Sequence, residues 1–124
     1  MYLSKSDYML FLKHPAWVWL KKHEPHKLPE IDEATQAIFD NGYLFESYAE
    51  QLFEDVKRIE REEDDFNSSF IKTREAIDGG VEFISQGGFK TDKLLCFCDI
   101  LKRVGENEFD LYEIKSATDI RPEY

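Results

Sequence analysis

Apolar residues return at helical intervals through the middle of the chain, from about Glu33 to Arg61. Phe45, Tyr48, Ala49, Leu52, Phe53, Val56 and Ile59 fall at i, i+3, i+4 and i+7 spacings. The pattern predicts a long amphipathic helix, with Gly42 marking either a close approach or a break into two. Upstream, Ser4 is suited to N-cap a first helix, with Asp7 completing a capping box and Leu3 and Tyr8 forming a staple. Pro15 suits the first turn of a second helix, "PAWVWLKKH", and "EPHKLPE" (24–30) is a connector. "DDFNSS" (64–69) predicts a loop, and Thr73 caps one helical turn before Gly79-Gly80. Beyond those glycines the period changes to two. Residues 81–89, 94–104 and 109–116 predict three strands joined by tight turns. Helices first and strands second define an α+β fold in a single domain, 1–124. Helices within 1–62 are expected to pack on a three-stranded antiparallel meander within 70–124.

The second hairpin carries the candidate chemistry. A three-residue loop, Gly105-Glu106-Asn107, pairs Val104 with Glu108, Lys102 with Asp110, Ile100 with Tyr112 and Cys98 with Ile114. The same register sets Asp99 opposite Glu113, with Lys115 on the same face as Glu113. Two carboxylates about 5 Å apart repel by on the order of 3 kcal/mol at an effective dielectric of about 20. A hard divalent cation between them relieves that repulsion, because such ions favour oxygen ligands. Lys115 offsets part of the charge or orients a nucleophilic water. The bland reading is a pair of solvated carboxylates on an open sheet face. On the long helix, Glu46 borders the apolar face and can approach the pair if that helix packs on the sheet. Glu50, one turn on, is expected to reach solvent.

Charge modifies this picture. The chain holds 16 Lys and Arg against 26 Asp and Glu, a net charge of −10, which taken whole opposes nucleic-acid binding. The acidity is concentrated: residues 30–65 contain thirteen acidic and three basic side chains, or −10. Residues 1–29 are locally +3, with five Lys against Asp7 and Glu24. Trp17 and Trp19 in that basic start read more readily as part of a solvated helix pair than as a nucleic-acid contact. No run approaches the roughly 20 apolar residues of a membrane span. "MYLSKSDYML" lacks the apolar region of a signal peptide, so a cytoplasmic location is expected. Cys96 and Cys98, two apart on one strand, are too close for an ordinary disulfide and read as small buried hydrophobes.

"GYLFESYAEQLF" with Glu46, "CDIL" with Asp99 and "YEIKSAT" with Glu113 and Lys115, in that order, resemble the PD-(D/E)xK nuclease superfamily. The likeness is to its RecB-like exonuclease branch, and within it to a group of uncharacterised bacterial proteins. The opening "YLSKSDYMLFLKHPAWVWL" is also similar to the start of that branch. The resemblance implies a partial restriction-endonuclease-like core and a metal-dependent nuclease acting on DNA. It implies that Glu46, Asp99, Glu113 and the Ile114 carbonyl bind Mg²⁺ or Mn²⁺. Lys115 would then position or help deprotonate the attacking water. His14 stands where some relatives have the first cysteine of an iron–sulfur cluster, so no cluster is expected. The sequence continues only nine residues past Lys115, which predicts a core truncated at its C-terminus. An unfinished sheet edge would then invite pairing into a homo-oligomer.

Other constellations are thin. His23 and His26 flank Pro25 and read as surface histidines. Gly79-Gly80 and Gly87-Gly88 read as strand-edge irregularities, not as a phosphate loop. The competing reading of the chain is a non-catalytic interaction module that keeps the fold and uses its acidic 30–65 segment to bind a basic protein.

Overall fold

The computed structural model describes residues 1–62 and 65–120. Along these residues run β1 (Leu3–Ser4), α1 (Lys5–Lys13), α2 (Pro15–His23), a 3-10 turn (Pro25–Lys27), α3 (Glu33–Glu50) and β2 (Lys57–Arg58). They are followed by α4 (Phe66–Asp78), β3 (Phe83–Lys90), β4 (Leu94–Arg103) and β5 (Phe109–Tyr112). The class is α+β, as the periodicity predicts.

The capping box forms at the start of α1. Asp7 N–H donates to Ser4 Oγ at 3.2 Å, and Ser4 N–H donates to Asp7 Oδ2 at 2.9 Å. Asp7 is 1% exposed, and the ammonium groups of Lys21 and Lys22 each reach it at 2.7 Å. One carboxylate thus caps α1 and ties α2 to it.

The helical pattern of the middle segment outruns its helix. α3 ends at Glu50, and Asp55 adopts a left-handed φ of 52° in the turn that follows. The Phe53 ring packs 5.3 Å from both Phe83 and Tyr112. Ile59 is 2% exposed, and its N–H donates to the Ser85 carbonyl. Phe53 and Ile59 are therefore packed by a turn and a strand rather than by a helical face, while Leu52 is left 83% exposed. Gly42 marks neither a break nor a close approach. α3 runs through it, and a Cβ there would meet nothing within 4 Å.

The predicted loop at 64–69 is instead the start of α4, although Asp64 itself lies outside the described residues. Asp65 accepts from the N–H groups of Asn67 and Ser68 and caps this 13-residue helix. Thr73 sits within α4, not at its cap. Its buried face is Ser69, Thr73 and Ala76, small and mostly polar, so hydropathy gives little sign of a helix there. Thr73 Oγ1 donates to the Ser69 carbonyl and accepts from Gly88 N–H, fastening α4 to β3.

β3, β4 and β5 form the expected antiparallel meander. Ile100 pairs with Tyr112 and Lys102 with Asp110, and Val104 N–H donates to the Glu108 carbonyl at 2.9 Å, as the three-residue loop dictates. Two short strands extend it: β1 pairs parallel with the start of β4, and β2 pairs parallel with β3. The sheet is thus mixed and five-stranded, and two-residue strands carry no readable period. β2 reaches only Ile84 and Ser85 of β3, so Gly87 and Gly88 lie beyond it, paired with Cys98 and Phe97 of β4 on one side and, at Gly88, bonded to Thr73 of α4 on the other. A Cβ on Gly88 would approach Phe97 at 2.9 Å and Phe70 at 3.0 Å, so close ring packing requires glycine there. Ile59, Ala76, Ile84 and Leu101 make the core. Cys96 is exposed and only Cys98 is partly buried, which corrects the expectation that both are buried. Burial pushes the Cys98 thiol up to about 11. No helix among the described residues is long and apolar enough to cross a membrane.

Candidate active site

Gln86, in the middle of β3, has a left-handed φ of 56°, uncommon for a residue with a Cβ. Ser85 pairs with Ile100 and Gly87 with Cys98, so Gln86 sits across from Asp99. It is only 6% exposed, and its amide spans two groups. Arg61 Nη2 donates to its Oε1 at 2.6 Å, and its Nε2 donates to Glu46 Oε2 at 3.4 Å. Arg61 also lies over the Phe97 ring, 4.3 Å from its centroid. α3 thereby turns Glu46 back toward the sheet. Its end is held by the Arg58–Glu50 ion pair as well as by Phe53. Glu50 is engaged by Arg58 instead of reaching solvent freely, a correction to its expected role. Sequence reasoning missed Gln86; the one available signal was a polar side chain beside two glycines inside a predicted strand.

The sheet carboxylates meet differently from the predicted ladder. β5 stops at Tyr112, so Glu113–Ser116 are not strand, and the Asp99–Glu113 and Cys98–Ile114 ladder pairs do not form. Asp99 Oδ2 instead accepts from the Ile114 N–H at 2.7 Å. Glu113 is bound by two ammonium groups, Lys115 and Lys5. Lys5 comes from the first turn of α1, a partner that no local pattern indicates.

The charges of the four predicted site residues are coupled. Burial, and then the negative charge of Asp99, push Glu46 above the ordinary carboxylate range, against Lys115, Arg58 and Arg61. Burial also pushes Asp99 up; the Ile114 hydrogen bond opposes this, and the charge of Glu113 adds to it. Burial acts upward on Glu113 too, but Lys115 and Lys5 outweigh it and hold that carboxyl below its usual range. Lys115 is pulled down by burial, yet Glu113, Asp99 and Glu46 together raise it, so it stays an ammonium. Two crowded carboxylates, one ion-paired carboxylate and one cation therefore share a single electrostatic neighbourhood.

Glu46, Ile114, Lys115 and Ser116 line a concavity of about 310 Å³ together with Phe39 and Tyr43 of α3. A larger one, about 870 Å³, lies beside α1 and is walled mainly by Tyr8, Phe11, Val18, Phe89, Leu94 and Leu95. Its buried acid, Asp7, is already neutralised by Lys21 and Lys22, so size and chemistry lie apart in this molecule.

An all-oxygen donor set of mutually repelling carboxylates is matched in chemistry to a hard divalent ion. It is not a preassembled cage. Among the described residues, no three His, Cys, Asp or Glu side chains are grouped to hold a metal. Glu113 is turned to its two lysines.

No protein-family model, curated protein or solved structure matches this chain.

Proposed function

We propose that the chain carries the metal-dependent nuclease site of a PD-(D/E)xK protein of RecB-like type, hydrolysing phosphodiester bonds in DNA. The observation that carries this reading is the return of Glu46 from α3 to the sheet, at β3. Gln86 bonds it, and its charge is coupled to those of Asp99 and Lys115. Glu46 is far in sequence from Asp99 and Lys115 yet shares their electrostatic field, which a merely solvated sheet face does not require.

Glu46, Asp99 and Glu113 would hold Mg²⁺ or Mn²⁺, with Glu113 leaving Lys5 to do so. Such an ion supplies Lewis-acid activation of water and neutralises phosphate charge. Asp99 fixes the chain at Ile114, and Lys115, its ammonium paired with Glu113, lines the concavity with Glu46. Held above its ordinary pKa, Lys115 takes no proton from water near neutrality. Its part is electrostatic: it orients the water and stabilises negative charge on the phosphate. Gln86 and Arg61 keep Glu46 directed at the same space.

Incubating the protein with linear DNA and Mn²⁺ tests the reading. Degradation is expected from the wild type and lost in Asp99→Ala and Lys115→Ala. Undiminished degradation by both variants removes the mechanism.

A second reading, the non-catalytic module, draws on the exposed apolar side chains of α3, Leu44 and Tyr48 among them, beside its acidic residues. It predicts partner binding that is indifferent to Asp99→Ala and Lys115→Ala, with no saturable Mn²⁺ uptake.

A further inference from the structure

Not one of the 18 residues of α3 is buried. One side of the helix is nevertheless engaged, because Glu46 meets Gln86 and Glu50 meets Arg58. A helix turns by about 100° per residue, so Leu44 and Tyr48, two places before and after Glu46, lie on its far side. Ala37, Leu44 and Tyr48 run along that side at i, i+7 and i+11, with Ile38 and Phe45 beside them. Leu44 is 51% exposed and Tyr48 59%. Glu33 and Asp40 border this apolar stripe, and α3 contains four acidic residues and no Lys or Arg.

The 870 Å³ groove beside α1 has the complementary character. Tyr8 and Phe11 of α1 face Phe89 and Leu94 of the β3–β4 hairpin across it, and all four are exposed. Its acid, Asp7, is buried and neutralised, so the accessible charges on its walls are the ammonium groups of Lys5 and Lys90. Lys5 shares Glu113 with Lys115. Among the described residues Lys90 has no carboxylate partner; its Nζ donates to Asn67 Oδ1 at 2.7 Å and lies 5.0 Å from the Phe70 ring centroid. The spacing of the charges fits too. Lys90 pairs with Leu95 and Leu95 with Ser4, which puts Lys90 two strand spacings, about 10 Å, from the residue before Lys5. Glu33 and Asp40, seven residues apart on a helix, are separated by about 10 Å as well.

We infer that the far side of α3 docks in the α1 groove of a second copy of this chain. Leu44 and Tyr48 enter the groove, and Glu33 and Asp40 lie against Lys5 and Lys90. The contact does not depend on the nuclease reading, since Glu46 faces the other way. Charge selects this arrangement over a symmetric one. Pairing α3 with α3 sets acid against acid, and pairing groove with groove sets lysine against lysine, and like charges across an interface oppose association. A chain cannot fill its own groove in this manner, because Glu46 and Glu50 hold the opposite side of α3 to the domain. Each pair of copies leaves one stripe and one groove uncovered, so the contact is head-to-tail and adds copies unless it closes into a ring.

Sedimentation equilibrium of the full chain tests this. The wild-type mass is expected to rise above the monomer with concentration, and less so in high salt. Leu44→Glu with Tyr48→Glu spoils the stripe, and Tyr8→Glu with Lys90→Glu spoils the groove. Each double variant should associate at least about 10-fold more weakly than wild type. All four positions are exposed, and circular dichroism should show the helices intact. Lys90→Glu alone supplies the comparison if a double variant loses helix. An equimolar mixture of the two double variants retains one sound stripe and one sound groove, and should form a dimer and nothing larger. A wild type that stays monomeric overturns the inference. So does a groove variant that associates like wild type, which would place the contact between two α3 helices, or a mixture that yields no dimer.

Discussion

The Ile114 N–H donates to the Asp99 carboxylate at 2.7 Å, taking over where β5 stops pairing at Tyr112. A side chain thus completes what the ladder leaves undone. Because Lys115 follows directly, the same bond fixes the backbone from which its ammonium reaches Glu113. Asp99 has a structural task and, on the proposed nuclease reading, a chemical one, and the two can be separated.

Asp99→Asn retains an acceptor for Ile114 and removes the charge that burdens Glu46; Asp99→Ala removes both. Urea denaturation should show the Ala variant less stable by about 1–3 kcal/mol, the cost of an unsatisfied, partly buried donor. The Asn variant should lie near wild type, and both should lose cleavage. Equal stability of the two variants would mean that the bond does no structural work.

Asp7 sets an acid limit on stability. Burial alone would raise its pKa, but Lys21, Lys22 and Ser4 overcome that and hold the carboxyl far below its ordinary 3.8. With the folded-state value depressed, its contribution is complete above the ordinary value and is lost as pH falls below it. Thermal melts between neutral pH and about pH 2 should show this loss, and Asp7→Asn should flatten the curve. The same substitution should cost about 1.5–3 kcal/mol at neutral pH, as expected for lost charge-assisted hydrogen bonds.

Gln86 exchanges backbone strain for its bonds to Glu46 and Arg61. Gln86→Gly relieves a left-handed φ worth on the order of 1 kcal/mol while losing those bonds, so its net stability change should be small. Gln86→Ala keeps the strain and loses the bonds, and should be less stable than the Gly variant by on the order of 1 kcal/mol. Chemical denaturation of the pair measures the difference. A parallel fall in cleavage in both is expected if the amide directs Glu46.

Two glycines should respond with opposite sign. Gly42→Ala, in an open helix interior, is expected to stabilise by about 0.5–1 kcal/mol. Gly88→Ala forces the Phe97 and Phe70 rings apart and should cost about 1–3 kcal/mol. Calorimetric melting temperatures moving in the same direction would contradict the packing described.

If Glu113 is a metal ligand as proposed, its ion pair with Lys5 competes with the metal. Lys5→Met should leave stability close to wild type, as exposed ion pairs contribute little. It should tighten Mn²⁺ binding in calorimetric titration by freeing a carboxylate. Unchanged or weaker uptake would indicate that Glu113 is not a ligand.

The amino-acid order by itself determined what depends on neighbours along the chain. The Ser4–Asp7 capping box, Pro15 at the head of α2 and the Gly105–Asn107 turn with its register all follow from short-range geometry. So does the α+β class, because side-chain periods of 3.6 and 2 are properties of local backbone. Glu46, Asp99, Glu113 and Lys115 could be nominated from their order and spacing. Only the tertiary structure decided how they meet. α3 stops at Glu50 because Ile59 and Phe53 gain more by burial against β3 and β5 than by continuing a helix. α4 forms on a small polar face because Thr73 is satisfied by Gly88, a partner across the fold. Glu113 is held by Lys5, more than a hundred residues away in sequence, and Gln86 bears its strain because Arg61 and Glu46 converge on its amide. Contacts of that kind depend on which surfaces the whole chain brings together, and a periodic pattern carries no record of them.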